Sequence, residues 1–142
     1  MCDTYGQYLT MKEEIDAAMQ EVIKSTQFIK SGRVLDFEKN LANYLNTHVI
    51  SCANGTDALQ IAFMALNLQP GDEVITTPFT FIATVEALAL LGLKPVFADV
   101  EPGTFNLDAP LIEKMISEKT RAILPVHLFG QCAHLAPMLA LA

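Results

Sequence analysis

Apolar positions along the chain keep two rhythms. Met11, Ile15, Ala18, Met19, Val22 and Ile23 recur at helical spacing and fall on one face. Thr10 and Glu13 stand three apart just before most of this run, the form of a capping box, so the first helix is expected to open there. Residues 27–32 break the pattern and read as a loop presenting Phe28 and Ile29. Leu35, Phe37, Leu41, Tyr44 and Leu45 mark a second amphipathic helix. Beyond it, short apolar runs alternate with helical ones. Strands are expected at 48–52, 73–77, 95–98 and 122–126, with helices over 56–66, 81–91 and 110–116 between them. Turn-forming Pro-Gly and Gly-x-x-Pro segments separate these elements. Asp108 reads as an N-cap with Pro110 in the first turn. The strands are almost continuously apolar, as when helices cover both faces of a parallel sheet. Strand–helix alternation of this kind predicts an α/β layered architecture, a three-layer sandwich around a mostly parallel sheet.

Composition narrows the function classes. Of 142 residues 51% are apolar and 18% charged, and mean hydropathy is +0.33, enough to form a core rather than a disordered chain. Nine basic residues against 16 acidic ones leave a formal charge of −7, a poor basis for binding nucleic acid. Cys2, Cys52 and Cys132 form neither a disulfide framework nor a metal knuckle, and they read as packing thiols in a reducing compartment. The most apolar stretch, 79–93, is interrupted by Glu86 and too short to span a bilayer. No signal peptide is visible, and a soluble cytoplasmic protein without membrane partners is expected. So low a charge fraction also implies apolar surface facing a partner, or a chain that stops before its domain is complete.

Ligands of open α/β sheets bind beyond the carboxyl ends of the strands. Four segments are expected there. In Ser51-Cys52-Ala53-Asn54-Gly55-Thr56-Asp57, Gly55 admits a ligand close to the backbone and Thr56 adds a hydroxyl to free helix-start amides. That is a phosphate cradle, or else simply a turn and a cap. In Thr77-Pro78-Phe79-Thr80-Phe81, one ring is expected to pack inward while the other lies over the edge, where it could stack on a planar ring; the alternative places both in the core. Asp99 reads as a turn or cap residue, and His127 as a hydrogen-bonded packing histidine rather than an acid–base group. There is no P-loop, dinucleotide turn, nucleophile elbow or zinc spacing.

The order of these segments is more specific than any one of them. Ser51-Cys52-Ala53-Asn54-Gly55-Thr56-Asp57-Ala58-Leu59, Pro70-Gly71-Asp72-Glu73-Val74-Ile75-Thr76, Phe79-Thr80-Phe81-Ile82-Ala83-Thr84, Pro95-Val96-Phe97-Ala98-Asp99-Val100, Thr104-Phe105-Asn106-Leu107-Asp108 and Pro125-Val126-His127-Leu128-Phe129-Gly130-Gln131 resemble the DegT/DnrJ/EryC1/StrS sugar aminotransferases. The resemblance runs from about Tyr5 to Gln131. It implies a fold type I enzyme that uses pyridoxal 5'-phosphate (PLP) to transaminate a UDP- or dTDP-linked keto sugar for surface polysaccharide, with glutamate as amino donor. By the same resemblance Gly55 and Thr56 match the phosphate-binding turn and Phe81 the aromatic stacked on the pyridine ring. Tyr5 to Tyr8 and the 28–32 loop match segments near the substrate entrance, which singles out Tyr8, Phe28 and Ile29. It implies a division into 1–33, an N-terminal helix and entrance loop, and 34–142, part of the PLP-binding large domain. The Schiff-base lysine and the pyridinium acid are expected beyond residue 142, since none of the seven lysines matches the catalytic position. The fragment alone is therefore expected to be inactive, and the full-length enzyme a homodimer. Two other readings stay open: a non-catalytic binding or assembly module, and a PLP-dependent sugar dehydratase in which histidine replaces the lysine.

Overall fold

The computed structural model describes residues 2–141, and its contacts divide the chain into two units between Ser51 and Cys52. The first unit holds three helices, α1 (Thr4–Thr10), α2 (Lys12–Ser25) and α3 (Gly32–Leu45). The expected capping box is corrected here. Asp3 caps the chain earlier, its Oδ1 accepting from the Gly6 amide at 2.8 Å, so residues 4–10 are already helical. Thr10 ends α1, with its hydroxyl donating to the Gln7 carbonyl at 2.7 Å, and no side chain caps α2. None of the side chains of α1–α3 is buried, and Leu9, Ile23, Leu35 and Phe37 are all more than half exposed.

The strand expected at 48–52 does not form. The segment is irregular, and Ser51 instead donates its amide and its hydroxyl to Glu38 Oε1, at 2.8 and 2.6 Å. The β-branched Val49 and Ile50 favour extended backbone, but a strand exists only where a neighbour completes its hydrogen bonds.

The second unit runs α4 (Gly55–Ala65), β1 (Glu73–Thr76), α5 (Ala83–Leu90), β2 (Lys94–Phe97), α6 (Ala109–Met115), β3 (Thr120–Ile123) and α7 (Leu135–Leu139). All three strands are parallel, in the order β2-β1-β3. Each lies within two residues of an expected strand at its start; the helices at 56–66 and 110–116 are also present, shifted by one residue, and that at 81–91 is shortened to Ala83–Leu90. Alternation along β1 divides the core. Val74 points to the face packed by Phe63, Leu88 and Leu93, whereas Ile75 points to the face packed by Leu107, Ile112 and Met138. Helical layers therefore cover both faces of the sheet, in keeping with the burial of all four residues of β1. The turn between α5 and β2 depends on Gly92. Its φ is +70°, and a Cβ there would lie 3.1 Å from Pro70 Cβ.

At the amino edge Glu73 is buried yet paired. Its carboxylate accepts from the Ser117 hydroxyl at 2.6 Å and from Lys94 Nζ at 3.1 Å. Lys94 is the first residue of β2. The Ser117 hydrogen bond, followed by Lys94, holds the Glu73 carboxyl below its usual value of 4.5. A lowered folded-state pKa stabilises the fold above the unfolded value and loses that contribution as pH falls through the folded one. Urea-unfolding midpoints are therefore expected to decline on acidification below 4.5, and Glu73→Gln should flatten part of that decline. An unchanged acid limb in the variant would refute the assignment.

Candidate active site

Helix α4 begins with a side-chain cap. Asn54, extended at φ −163°, accepts the Asp57 amide on Oδ1 at 3.0 Å and returns Nδ2 to Asp57 Oδ2 at 3.2 Å. This exchange satisfies one of the helix-start donors and turns the Asp57 carboxylate toward Asn54. The amides of Gly55 and Thr56 have no hydrogen-bond partner among the described residues. A Cβ built on Gly55 meets nothing within 4 Å. Two unpaired N–H groups at the positive end of an eleven-residue helix, beside open space, are the arrangement that favours an anion.

From the carboxyl end of β1 the chain passes through residues 77–82 into α5. The Thr77 hydroxyl accepts the Phe79 amide at 3.0 Å, and the Phe81 carbonyl accepts the Thr84 amide at 3.1 Å. The two phenylalanines part company, but neither packs inward: Phe79 is 46% exposed, so the expectation of one inward ring is corrected. Phe81 is 76% exposed, so the reading that put both rings in the core is set aside. Phe79 stacks on Phe105, with centroids 5.4 Å apart and planes 29° apart, and meets Phe129 edge-on at 6.4 Å. Phe105 and Phe129 close the triangle at 6.0 Å, nearly perpendicular. One ring thus comes from the loop after each strand, tying the three carboxyl-edge loops together. Phe105 and Phe129 have φ of +59° and +54°, the left-handed region that costs a residue with a Cβ roughly 1–2 kcal/mol. The aromatic contacts help offset that cost. Sequence reasoning did not single out Phe105 or Phe129 for this role. The available signal was a phenylalanine in every loop that follows a strand.

Other candidates settle as follows. Asp99 is a turn residue, its Oδ1 accepting the Val100 amide at 2.8 Å. His127 Nδ1 accepts the Ala133 amide at 3.0 Å, a hydrogen-bonded role, although the residue is exposed. The cysteines are not packing thiols: all three are exposed, and the Cys52 thiol donates to the Asn54 carbonyl at 3.3 Å. A short polar loop supplies too few apolar neighbours to bury them. Among the described residues no cluster of His, Cys, Asp and Glu could hold a metal, and no helix is long and apolar enough to cross a membrane.

Tyr8, Phe28 and Ile29 belong to the first unit. Tyr8 donates its hydroxyl to Asp16 Oδ1 at 2.9 Å, and Asp16 also pairs with Lys12. The Lys12 hydrogen bond, then that of Tyr8, holds the Asp16 carboxyl below its ordinary range. Phe28 and Ile29 stand on the loop after α2, at 66% and 90% exposure. Gly55, Thr56 and Phe81 belong to the second unit.

Comparison with known proteins agrees with this architecture. The sequence profile of the DegT/DnrJ/EryC1/StrS aminotransferase family matches residues 9–142. A UDP-2-acetamido-2-deoxy-3-oxo-D-glucuronate aminotransferase of Pseudomonas aeruginosa is 51% identical over 92% of this chain and 37% of its own. A GDP-perosamine synthase of Caulobacter vibrioides is 43% identical over 86% of this chain and 33% of its own. The crystal structure of a DegT DnrJ EryC1 StrS aminotransferase from Brucella abortus superposes with a TM-score of 0.92 at 38% identity, over 99% of this chain and 40% of that one. That of ntda from Bacillus subtilis, with bound cofactor PMP, gives 0.90 at 37% identity over 94% and 31%. The chain thus spans about two fifths or less of the length of these relatives.

Proposed function

Because the chain belongs to the DegT/DnrJ/EryC1/StrS aminotransferase family, we propose that the protein carrying it moves an amino group from glutamate to a nucleotide-linked keto sugar, with PLP as cofactor. The two unpaired amides at the start of α4, beside open space over Gly55, carry the reading. Gly55 and Thr56 would take the phosphate, a dianion matched to a helix N-terminus. Phe81 would offer its exposed face to the pyridine ring. Bound PLP supplies the electron sink of amino transfer. This chain's own residues bind the group and orient its ring. The Asn54 side chain engages the Asp57 carboxylate, which accepts from neither the Gly55 nor the Thr56 amide.

A UDP-linked sugar is the favoured acceptor, a dTDP-linked one the alternative, and the product would serve surface polysaccharide synthesis in the cytoplasm. The name of the 51%-identical relative, which acts on a UDP sugar, supports the first choice. Tyr8, Phe28 and Ile29 would border the substrate entrance; Tyr8 is half-buried, whereas the exposed Phe28 ring and Ile29 side chain suit contact with a ligand or a second subunit of a homodimer.

The test uses a protein that carries this chain at its relatives' length. PLP should bind, with an absorbance band that shifts when glutamate is added; no bound PLP refutes the reading. In that protein Phe81→Ala should weaken PLP binding about 2- to 10-fold, the worth of one aromatic stack. Because the ring is 76% exposed, stability should move by less than about 0.5 kcal/mol. Unchanged affinity would remove Phe81 from the site.

A further inference from the structure

The exposed Phe81 ring makes no aromatic contact among the described residues, so the backbone on either side of it decides where it stands. On one side its carbonyl accepts the Thr84 amide as α5 begins. On the other, two residues away, Phe79 reaches across to the neighbouring loops, stacked on Phe105 and edge-on to Phe129.

Both partners are firmly mounted. The Glu101 carbonyl accepts the Phe105 amide at 2.8 Å, and the Asn106 carbonyl accepts the Glu101 amide at 2.9 Å. The turn so closed leads directly to Leu107 in the core. Around Phe129 the Leu128 carbonyl accepts the Gln131 amide at 3.0 Å, and His127 ties the turn to the buried Ala133.

Yet both phenylalanines hold a positive φ. Among the described residues of the second unit the other non-glycine residue that does so is Asn67, whose short polar side chain suits that region. Phenylalanine has no such hydrogen bond to offer. Nor does burial demand the conformation, since none of the three rings belongs to either core cluster. Strained backbone at bulky residues outside the core marks a segment whose geometry serves a site. Through Phe79, the group it leads to is Phe81.

We infer that Phe105 and Phe129 are positioning residues: by holding Phe79 they fix the 77–82 segment, so that the Phe81 ring is in place before PLP arrives. The inference rests on the assignment of Phe81 to the cofactor. A loop ordered only at the moment of binding costs affinity, and a loop ordered beforehand avoids that cost. Because the two residues act through Phe81, losing either should weaken PLP binding no more than losing Phe81 itself.

The test titrates PLP into a protein that carries this chain at its relatives' length, in four forms: unmodified, Phe105→Gly, Phe81→Ala and the double variant. Glycine removes the ring and accepts the positive φ, so the fold is expected to survive. Phe105→Gly should lower PLP affinity about 2- to 10-fold, and should change nothing once Phe81 is alanine. Phe105→Tyr, which keeps the ring, should bind PLP as the unmodified protein does. A residue that merely shaped the sheet edge would cost the same in either background. Equal losses in the two backgrounds, unchanged affinity in Phe105→Gly, or a tyrosine variant as weak as the glycine one would overturn the positioning role and leave the cofactor reading intact. Unmodified protein that takes up no PLP, or Phe81→Ala that binds it undiminished, overturns both. If Phe105→Gly does not fold, Phe129→Gly decides in the same cycle, since that ring is 78% exposed and its φ also suits glycine.

Discussion

Ile75→Ala is expected to lower the free energy of unfolding by about 2–5 kcal/mol, the range for truncating a fully buried isoleucine. Ile75 is 0% exposed and lies on the central strand, packed in the cluster with Ala98, Leu107, Ile112, Ala133 and Met138. Its backbone is held on both sides by parallel neighbours, Val96 on β2 and Ile123 on β3, so the surroundings cannot collapse into the space left behind. The loss is large against a typical domain stability of about 5–15 kcal/mol. Ile75→Val, which removes one methyl group, should cost only about 0.5–1.5 kcal/mol. Urea denaturation would show the drop as a lower midpoint at unchanged slope. An alanine variant within roughly 1 kcal/mol of the unmodified chain would mean that this face of the sheet is not tightly packed.

Gly55→Asp should cut PLP affinity at least about 100-fold while leaving the fold intact. The position starts α4, and a Cβ there meets no atom within 4 Å, so the substitution brings no clash. A carboxylate in the first turn favours the helix by about 0.3–1 kcal/mol through its dipole. The same carboxylate stands where the phosphate would sit. Like charges brought together cost several kcal/mol, and each 1.4 kcal/mol is tenfold in affinity. Gly55→Ala controls for added bulk without charge. Equilibrium titration with PLP, alongside thermal unfolding, separates the two effects. An aspartate variant that binds PLP as the unmodified protein does would place the phosphate elsewhere.

Local patterns located most of the second unit because there the local signals and the fold agree. The runs at Glu73–Thr76 and Thr120–Ile123 are short and β-branched, and Phe63, Leu88 and Ile112 bring α4, α5 and α6 into the two core clusters that flank the sheet. The first unit was harder to read. The helix Thr4–Thr10 mixes tyrosine, glycine and threonine with little apolar periodicity, and its signal is the Asp3 cap rather than a stripe. Val49 and Ile50 resemble strand residues, but nothing local says whether a neighbouring chain segment will offer a ladder.

The sequence by itself determined the alternation of strand and helix, the family resemblance, and the Asn54-Gly55-Thr56 turn. All three depend on residues near one another along the chain. Only the tertiary structure decided that Phe79, Phe105 and Phe129 meet, that Ser117 and Lys94 satisfy Glu73, and that Asn106 Oδ1 is buried without a partner. These depend on which loops the parallel crossovers bring to the same edge, and on burial. Desolvation turns an ordinary asparagine carbonyl into an unmet demand, and no residue carries that information until the chain has closed around it.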